Sequence, residues 1–341
     1  MDSITQAVLG GAVGYAVLGR KLGKRAALIG AGFGTLPDLD VLIDFGGPIE
    51  NMTYHRGVSH SIFVQALATP LIAWLMLKFK AHQTASFHRW CWALYLIFVT
   101  HSLADTFTVY GTQILWPLTD FPFSHSILFI VDPTYTVPLI VAFVGAFVFK
   151  PDLAMRVTAV ALVFSSGYLV WSSAAKLLID SKVSEALTER GIAPEVYEST
   201  PAPLNTLLWR GVAVQDDQYY EIWASVFDEV QDVQIYGYPR NQALLDTVRD
   251  HPSVERLRWF TKGQYKAWQS ENSVYISDLR MGVEGAYVFN FEVATLDQKG
   301  LSLGSFQQLE QRPDFGSLGT LWARIFDPQI SLNVEARQAS N

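Results

Sequence analysis

Cysteine is almost absent: Cys91 is the only one in 341 residues, it lies inside an apolar run, and no intramolecular disulfide can form. Charge is scarce as well. Asp, Glu, Lys and Arg make up 17% of the chain, and 25 basic against 32 acidic residues leave a net charge of -7. Without a Lys/Arg stripe to displace counterions from phosphates, nucleic acid is not expected as a partner. No secretory leader stands out, because the first apolar run starts almost at Met1 with no basic residue before it and no small-residue cleavage site after it. Internal repeats and low-complexity segments are missing too.

What is present is apolar surface, unevenly spread. The mean hydropathy of +0.19 is high for a soluble chain. Long apolar runs fill residues 1–173, whereas residues 174–341 intersperse charged and aromatic side chains as an ordinary globular domain does. A span takes about 20 mostly apolar residues, and candidates fall near Ile4–Gly19, Ala26–Ile43, Ser61–Phe79, Trp90–Phe107, Leu128–Phe149 and Leu153–Ser173. The expected fold is a mainly α membrane helical bundle of about six spans, followed by a smaller soluble α+β domain with an antiparallel sheet. Gly10, Gly11 and Gly14 in the first run, with Gly30, Gly32 and Gly34 in the second, predict two helices in close contact. Lys and Arg cluster in alternate breaks (Arg20 to Arg25; Lys78, Lys80 and Arg89; Lys150 and Arg156), which places both termini and the second domain outside the cytoplasm.

In that domain Ala174–Arg190 reads as an amphipathic helix, followed by a Pro-rich linker. Strands are predicted at Leu207–Gln215, Tyr219–Phe227, Ser273–Asp278 and Ala286–Ala294, with a short helix at Asn241–Asp250. It shows no second catalytic set, and its expected role is to position substrate or cover the site.

The topology gathers ionisable residues at one membrane face. Asp38 and Asp40 stand in P-D-L-D, His55, Arg56 and His60 in H-R-G-V-S-H-S, and His101 and Asp105 in H-S-L-A-D, four apart and so on one helix face. His125 and Asp132 fall at the start of the fifth run, and Asp2 at the end of the first. Charged groups at membrane depth are costly and ordinarily face a polar interior site. Imidazole with carboxylate suits zinc, manganese or iron, and several carboxylates favour more than one ion. Arg56 could grip a phosphate as a bidentate donor. Each piece also has a plainer use: Asp38 and Asp40 suit a helix cap, and His82, His88 and His251 read as ordinary surface or core histidines. The turn Tyr110, Gly111, Thr112, Trp116, Pro117 suits a substrate rim and an interfacial aromatic belt equally well.

M-D-S-I-T-Q-A-V-L-G at the start, L-P-D-L-D, H-R-G-V-S-H-S, and H-S-L-A-D-T with Y-G-T and W-P-L resemble the YdjM-like family of inner-membrane proteins, predicted to be metal-dependent hydrolases and grouped with the zinc-dependent phospholipase C and nuclease superfamily. The resemblance covers roughly the first half. It implies a bacterial inner-membrane location and phosphoester hydrolysis, with Asp38, Asp40, His55, His60, His101 and Asp105 at the metal site and His125 and Asp132 fitting less closely. Some relatives carry His where this chain has Gln6. The reading is an integral-membrane, metal-dependent hydrolase of a lipid or lipid-linked phosphoester, using a metal-activated water. Asp38, Asp40, His60, His101 and Asp105 would hold the metal, while His55, His125 or Asp132 would hold metal or act as acid or base. Its rivals are a metal-ion transporter, which would need ionisable residues through the inner halves of the spans, and a metal-stapled scaffold.

Overall fold

The computed structural model describes residues 1–79, 83–297, 300–309 and 318–335; Lys80 and His82 lie outside them. The chain divides into two compact units, Met1–Ile43 with Tyr54–Ser173 and Pro203–Asn205, and Asp44–Thr53 with Ala174–Ala202 and Thr206–Asn341.

The first unit is helical. Its helix α1 (Ser3–Leu22) starts at Asp2, whose carboxylate accepts the Ile4 and Thr5 backbone N–H groups and so satisfies two donors that the first turn leaves open. After a glycine turn the chain doubles back as α2 (Arg25–Gly34). The two helices touch backbone to backbone: a Cβ at Gly14 would lie 2.9 Å from the Ala26 carbonyl oxygen, and one at Gly34 would lie 2.6 Å from that of Gln6. Only glycine permits this approach. In chain order follow a 3-10 turn (Pro37–Leu42), helix α3 (Pro48–Tyr54), of which all but Tyr54 belongs to the second unit, a second 3-10 turn (Val58–His60), α4 (Ile62–Met76), α5 (Phe87–Thr106), α6 (Pro133–Val148) and α7 (Pro151–Glu189), whose residues from Ala174 belong to the second unit. Helix α1 packs on α2, α5 and α6. Leu9, Val13, Ile97, Leu128 and Leu139 form one apolar cluster, and Leu18, Trp90, Leu94 and Phe98 another.

The expectation of about six membrane spans does not hold. Among the described residues, α7 alone is long and apolar enough to cross a bilayer, and a second crossing is reached only if Pro48–His60 and Ile62–Met76 count as one span bent by 56°. The sequence runs overstate the helices inside them. Ala26–Ile43 is cut at Pro37, leaving a helix of 10 residues, and α4 and α6 have 15 and 16, which at 1.5 Å per residue is shorter than the roughly 30 Å hydrocarbon layer. Helix α5 reaches 20 residues but ends in Thr100, His101, Ser102, Asp105 and Thr106. The loop count that set the orientation falls with the spans it was counted on.

The second unit is built on antiparallel sheets. The first orders β1 (Val196–Pro201), β2 (Leu208–Gln215), β3 (Gln218–Ser225) and β4 (Gln234–Pro239) as a meander. Its buried face, with Trp209, Ala213, Ile222 and Ala224, packs on Ala175, Ile179, Val183 and Leu187 of α7. The second orders β10 (Gly300–Leu303), β9 (Asn290–Asp297), β6 (Ser273–Asp278) and β5 (Tyr265–Ser270), and a hairpin joins β7 (Gly282–Val283) to β8 (Ala286–Tyr287). The sixth predicted span and the amphipathic helix after it are one helix of 39 residues. The predicted helix at Asn241–Asp250 is a 3-10 turn (Gln242–Leu245), ahead of α8 (Pro252–Phe260), and α9 (Leu318–Arg324) lies near the end of the described chain. Among the described residues three ion pairs are buried in this unit, Arg210 with Glu221 at 2.9 Å, Arg280 with Asp278 at 2.6 Å and Arg324 with Asp228 at 2.7 Å.

Candidate metal centre

Three short elements of the first unit converge. The turn Pro37–Leu42 carries Asp38 and Asp40, the turn Val58–His60 carries Ser59 and His60, and the end of α5 carries His101 and Asp105. The two Nε2 atoms of His60 and His101 are 3.1 Å apart. Asp105 Oδ2 lies 3.2 Å from the first and 3.3 Å from the second, and Asp38 Oδ1 lies 3.4 and 3.5 Å from them. All four atoms fall within 4.8 Å of one another. His60, His101 and Asp105 are fully buried, while the Asp38 side chain is 21% exposed.

The far sides of the rings decide what these atoms are. His101 Nδ1 is 2.6 Å from the Gly34 carbonyl oxygen, which can only accept, so Nδ1 carries the hydrogen. Ser59 Oγ donates to Asp40 Oδ2 at 2.6 Å and lies 2.9 Å from His60 Nδ1, so there too the ring donates. A neutral imidazole with its proton on Nδ1 presents a lone pair at Nε2. In that neutral form two lone pairs face each other and two carboxylate oxygens, Asp38 Oδ1 and Asp105 Oδ2, which are buried and have no hydrogen-bond partner. Four electron-rich atoms so placed repel unless positive charge lies among them, either a proton on one of the rings or a cation. The other Asp105 oxygen is already occupied: Gln6 Nε2 donates to it at 3.0 Å, the Met1 amine donates to it, and the Arg56 guanidinium lies 3.4 Å away.

Asp40 is turned the other way. It takes the His55 Nδ1–H at 2.7 Å, the Arg56 backbone N–H at 3.1 Å and the Ser59 hydroxyl. Burial works against its ionised form, but the hydrogen bond from His55 and the His60 ring 3.6 Å away outweigh it and hold the carboxyl well below the usual carboxylate range. Arg56 sits at φ 61°, in the left-handed region, with its guanidinium 5.0 Å from the Tyr110 ring centre; that ring also meets the edge of His55. The Tyr110–Thr112 turn thus borders His55 and Arg56.

The remaining predicted residues do not join the cluster. Asp132 caps α6, accepting the Thr134 and Tyr135 N–H groups and the Tyr168 hydroxyl. His125 is exposed, with its ring against Phe107. His251 caps α8 and stacks on Phe306. Sequence reading missed Ser59 and the Gly34 carbonyl, which orient the two rings. The S-H-S spacing hinted at the first; nothing in a glycine marks its carbonyl as a ring's partner.

No curated protein and no solved structure matches the chain. Residues 1–179, which contain every element of this centre, match the family described as YdjM inner membrane protein. The chain belongs to that family.

Proposed function

We propose that the protein is a metal-dependent hydrolase of phosphoester bonds in a lipid or lipid-linked substrate, with one divalent ion held by Asp38, His60, His101 and Asp105. The donor set fits zinc. Tetrahedral arms of about 2.0–2.1 Å put neighbouring ligand atoms roughly 3.3–3.4 Å apart, against about 2.9 Å for an octahedron with the same arms. The five separations that involve the two imidazole nitrogens run from 3.1 to 3.5 Å. Such an ion lowers the pKa of a water and neutralises charge on a phosphoryl oxygen.

The observation that carries catalysis is what surrounds the four donors without being needed to hold an ion. Arg56 brings a guanidinium beside Asp105, suited to two phosphoryl oxygens at once. His55 has its Nδ1–H committed to Asp40, which leaves Nε2 of a ring that is 19% exposed as a base or, once protonated, an acid. His125 and Asp132 have no part in this scheme. Placement of the second unit outside the cytoplasm belongs to the same reading and is tested by a reporter fused at the carboxyl terminus.

One observation favours a second reading. Four protein donors can close a tetrahedral shell, as structural zinc sites do, and the metal would then only staple the helices. Hydrolysis of phosphomonoesters and phosphodiesters by the purified protein decides between them. The hydrolase reading expects Arg56→Ala and His55→Ala each to lose about a hundredfold in kcat or more while keeping bound metal. Bound metal with no hydrolysis of either ester class leaves the scaffold.

A further inference from the structure

The turn that carries Asp38 has two opposite faces. Asp40 is buried and Asp38 reaches into the cluster, yet the residues between and after them point outward: Leu39 is 52% exposed, Val41 68%, Leu42 79% and Ile43 54%. A run of four large apolar side chains in the open is unusual for a surface that faces water. The other ligand-bearing elements repeat the arrangement. Val58 stands outward two residues before His60, and Leu103 stands outward between His101 and Asp105. On α5 the outward residue Leu103 continues a stripe with Trp92 and Leu96, at helical spacing.

We propose that the turn Pro37–Leu42 is a lipid-dipping edge of the metal centre, with Leu39, Val41 and Leu42 seated at the boundary between headgroups and acyl chains of a bilayer. Two points favour lipid over another protein, and a third says how the lipid is met. The family is one of inner-membrane proteins. The apolar stripe on α5 leads to the same end of the unit as the turn. No Lys or Arg occurs between Arg25 and Arg56, so the contact is apolar insertion rather than electrostatic adsorption to anionic headgroups. A substrate carried in the membrane would then meet Asp38, the most exposed of the four ligands, from the lipid side. That route to the cluster rests on the hydrolase reading; the lipid contact does not.

The test is a fluorescence measurement that needs no activity. The full chain, as Cys91→Ser with Leu42→Cys, carries an environment-sensitive fluorophore at residue 42 and is reconstituted in vesicles of phosphatidylethanolamine and phosphatidylglycerol. The same label at Gln218→Cys, an exposed position on β3, serves as the aqueous reference. Spin labels on the lipid acyl chains are expected to quench the residue-42 probe several-fold more strongly than the residue-218 probe, with iodide in the buffer showing the reverse order. Equal quenching of both probes by iodide overturns the proposal, as does a residue-42 probe shielded from both quenchers, which would mean that protein covers the turn. Val41→Cys repeats the measurement if the first label perturbs the site. A protein that hydrolyses nothing but gives the lipid-quenched result retains the lipid contact and loses only the hydrolase reading.

Discussion

At the scale of the residue, the ring orientations carry the account, so the side chains behind the rings are the informative ones to change. Ser59→Ala removes the acceptor that holds the His60 proton on Nδ1, and loss of such a partner typically costs about 10- to 100-fold in metal affinity. A competition titration against a chelator of known affinity should show that weakening, with helix content unchanged by circular dichroism. Asp132→Ala should do the opposite, costing about 1 kcal/mol of stability as a lost helix cap and leaving metal affinity intact. Much of the centre was legible before the structure. His101 and Asp105 are one helical turn apart, and H-R-G-V-S-H carries two imidazoles in a short loop. The split between Asp38 and Asp40 was not legible, because two residues apart in a 3-10 turn means about 240° of rotation rather than one shared face. Asp132 was readable as a cap, since Asp followed by Pro and Thr is a helix start, but it was assigned to the site on the strength of an assumed common membrane face.

At the scale of the element, the glycine seam between α1 and α2 fixes where Gly34 presents its carbonyl, and through it the His101 ring. Gly10→Val sets new side-chain atoms against the backbone of Gly34, whose Cα lies 2.7 Å from the added Cβ. Neither neighbour is a flexible side chain, and the helices must move apart. The expected cost is about 3 kcal/mol or more, read as a lower midpoint in thermal denaturation, together with weaker metal binding. Gly32→Ala, on the open side of α2 with nothing near an added Cβ, is the matched control and should keep both. The glycine pattern announced this seam in the sequence. Span lengths were not announced with the same clarity, because an apolar run shows that a segment avoids water but not where a helix within it stops. Pro37 and the polar end of α5 were the signals that should have shortened the count.

At the scale of the whole molecule, the antiparallel character of the second unit was visible in the strand periodicity of residues 207–227 and 273–278, while the break of the 286–294 run into two strands and the continuity of α7 were not. Its stability should depend on pH through Tyr219 and Tyr287. Burial first, and then neighbouring charged and phenolic groups including Glu284, hold both phenols well above their ordinary value. Both donate to the Glu284 carboxylate. A folded pKa raised above the unfolded value of about 10 means that the contribution is complete below that pH and declines above it, by about 1.4 kcal/mol per pH unit for each phenol. Denaturant midpoints measured on either side of pH 10 should therefore fall more steeply in the wild type than in Tyr287→Phe. The central claim concerns the first unit, and metal content measured by mass spectrometry on the purified full-length protein tests it most directly. About one equivalent of a divalent metal, zinc foremost, is expected in the wild type and in Asp132→Ala and is lost in His60→Ala and His101→Ala; a folded wild type free of metal, or metal retained by both histidine variants, would contradict the account.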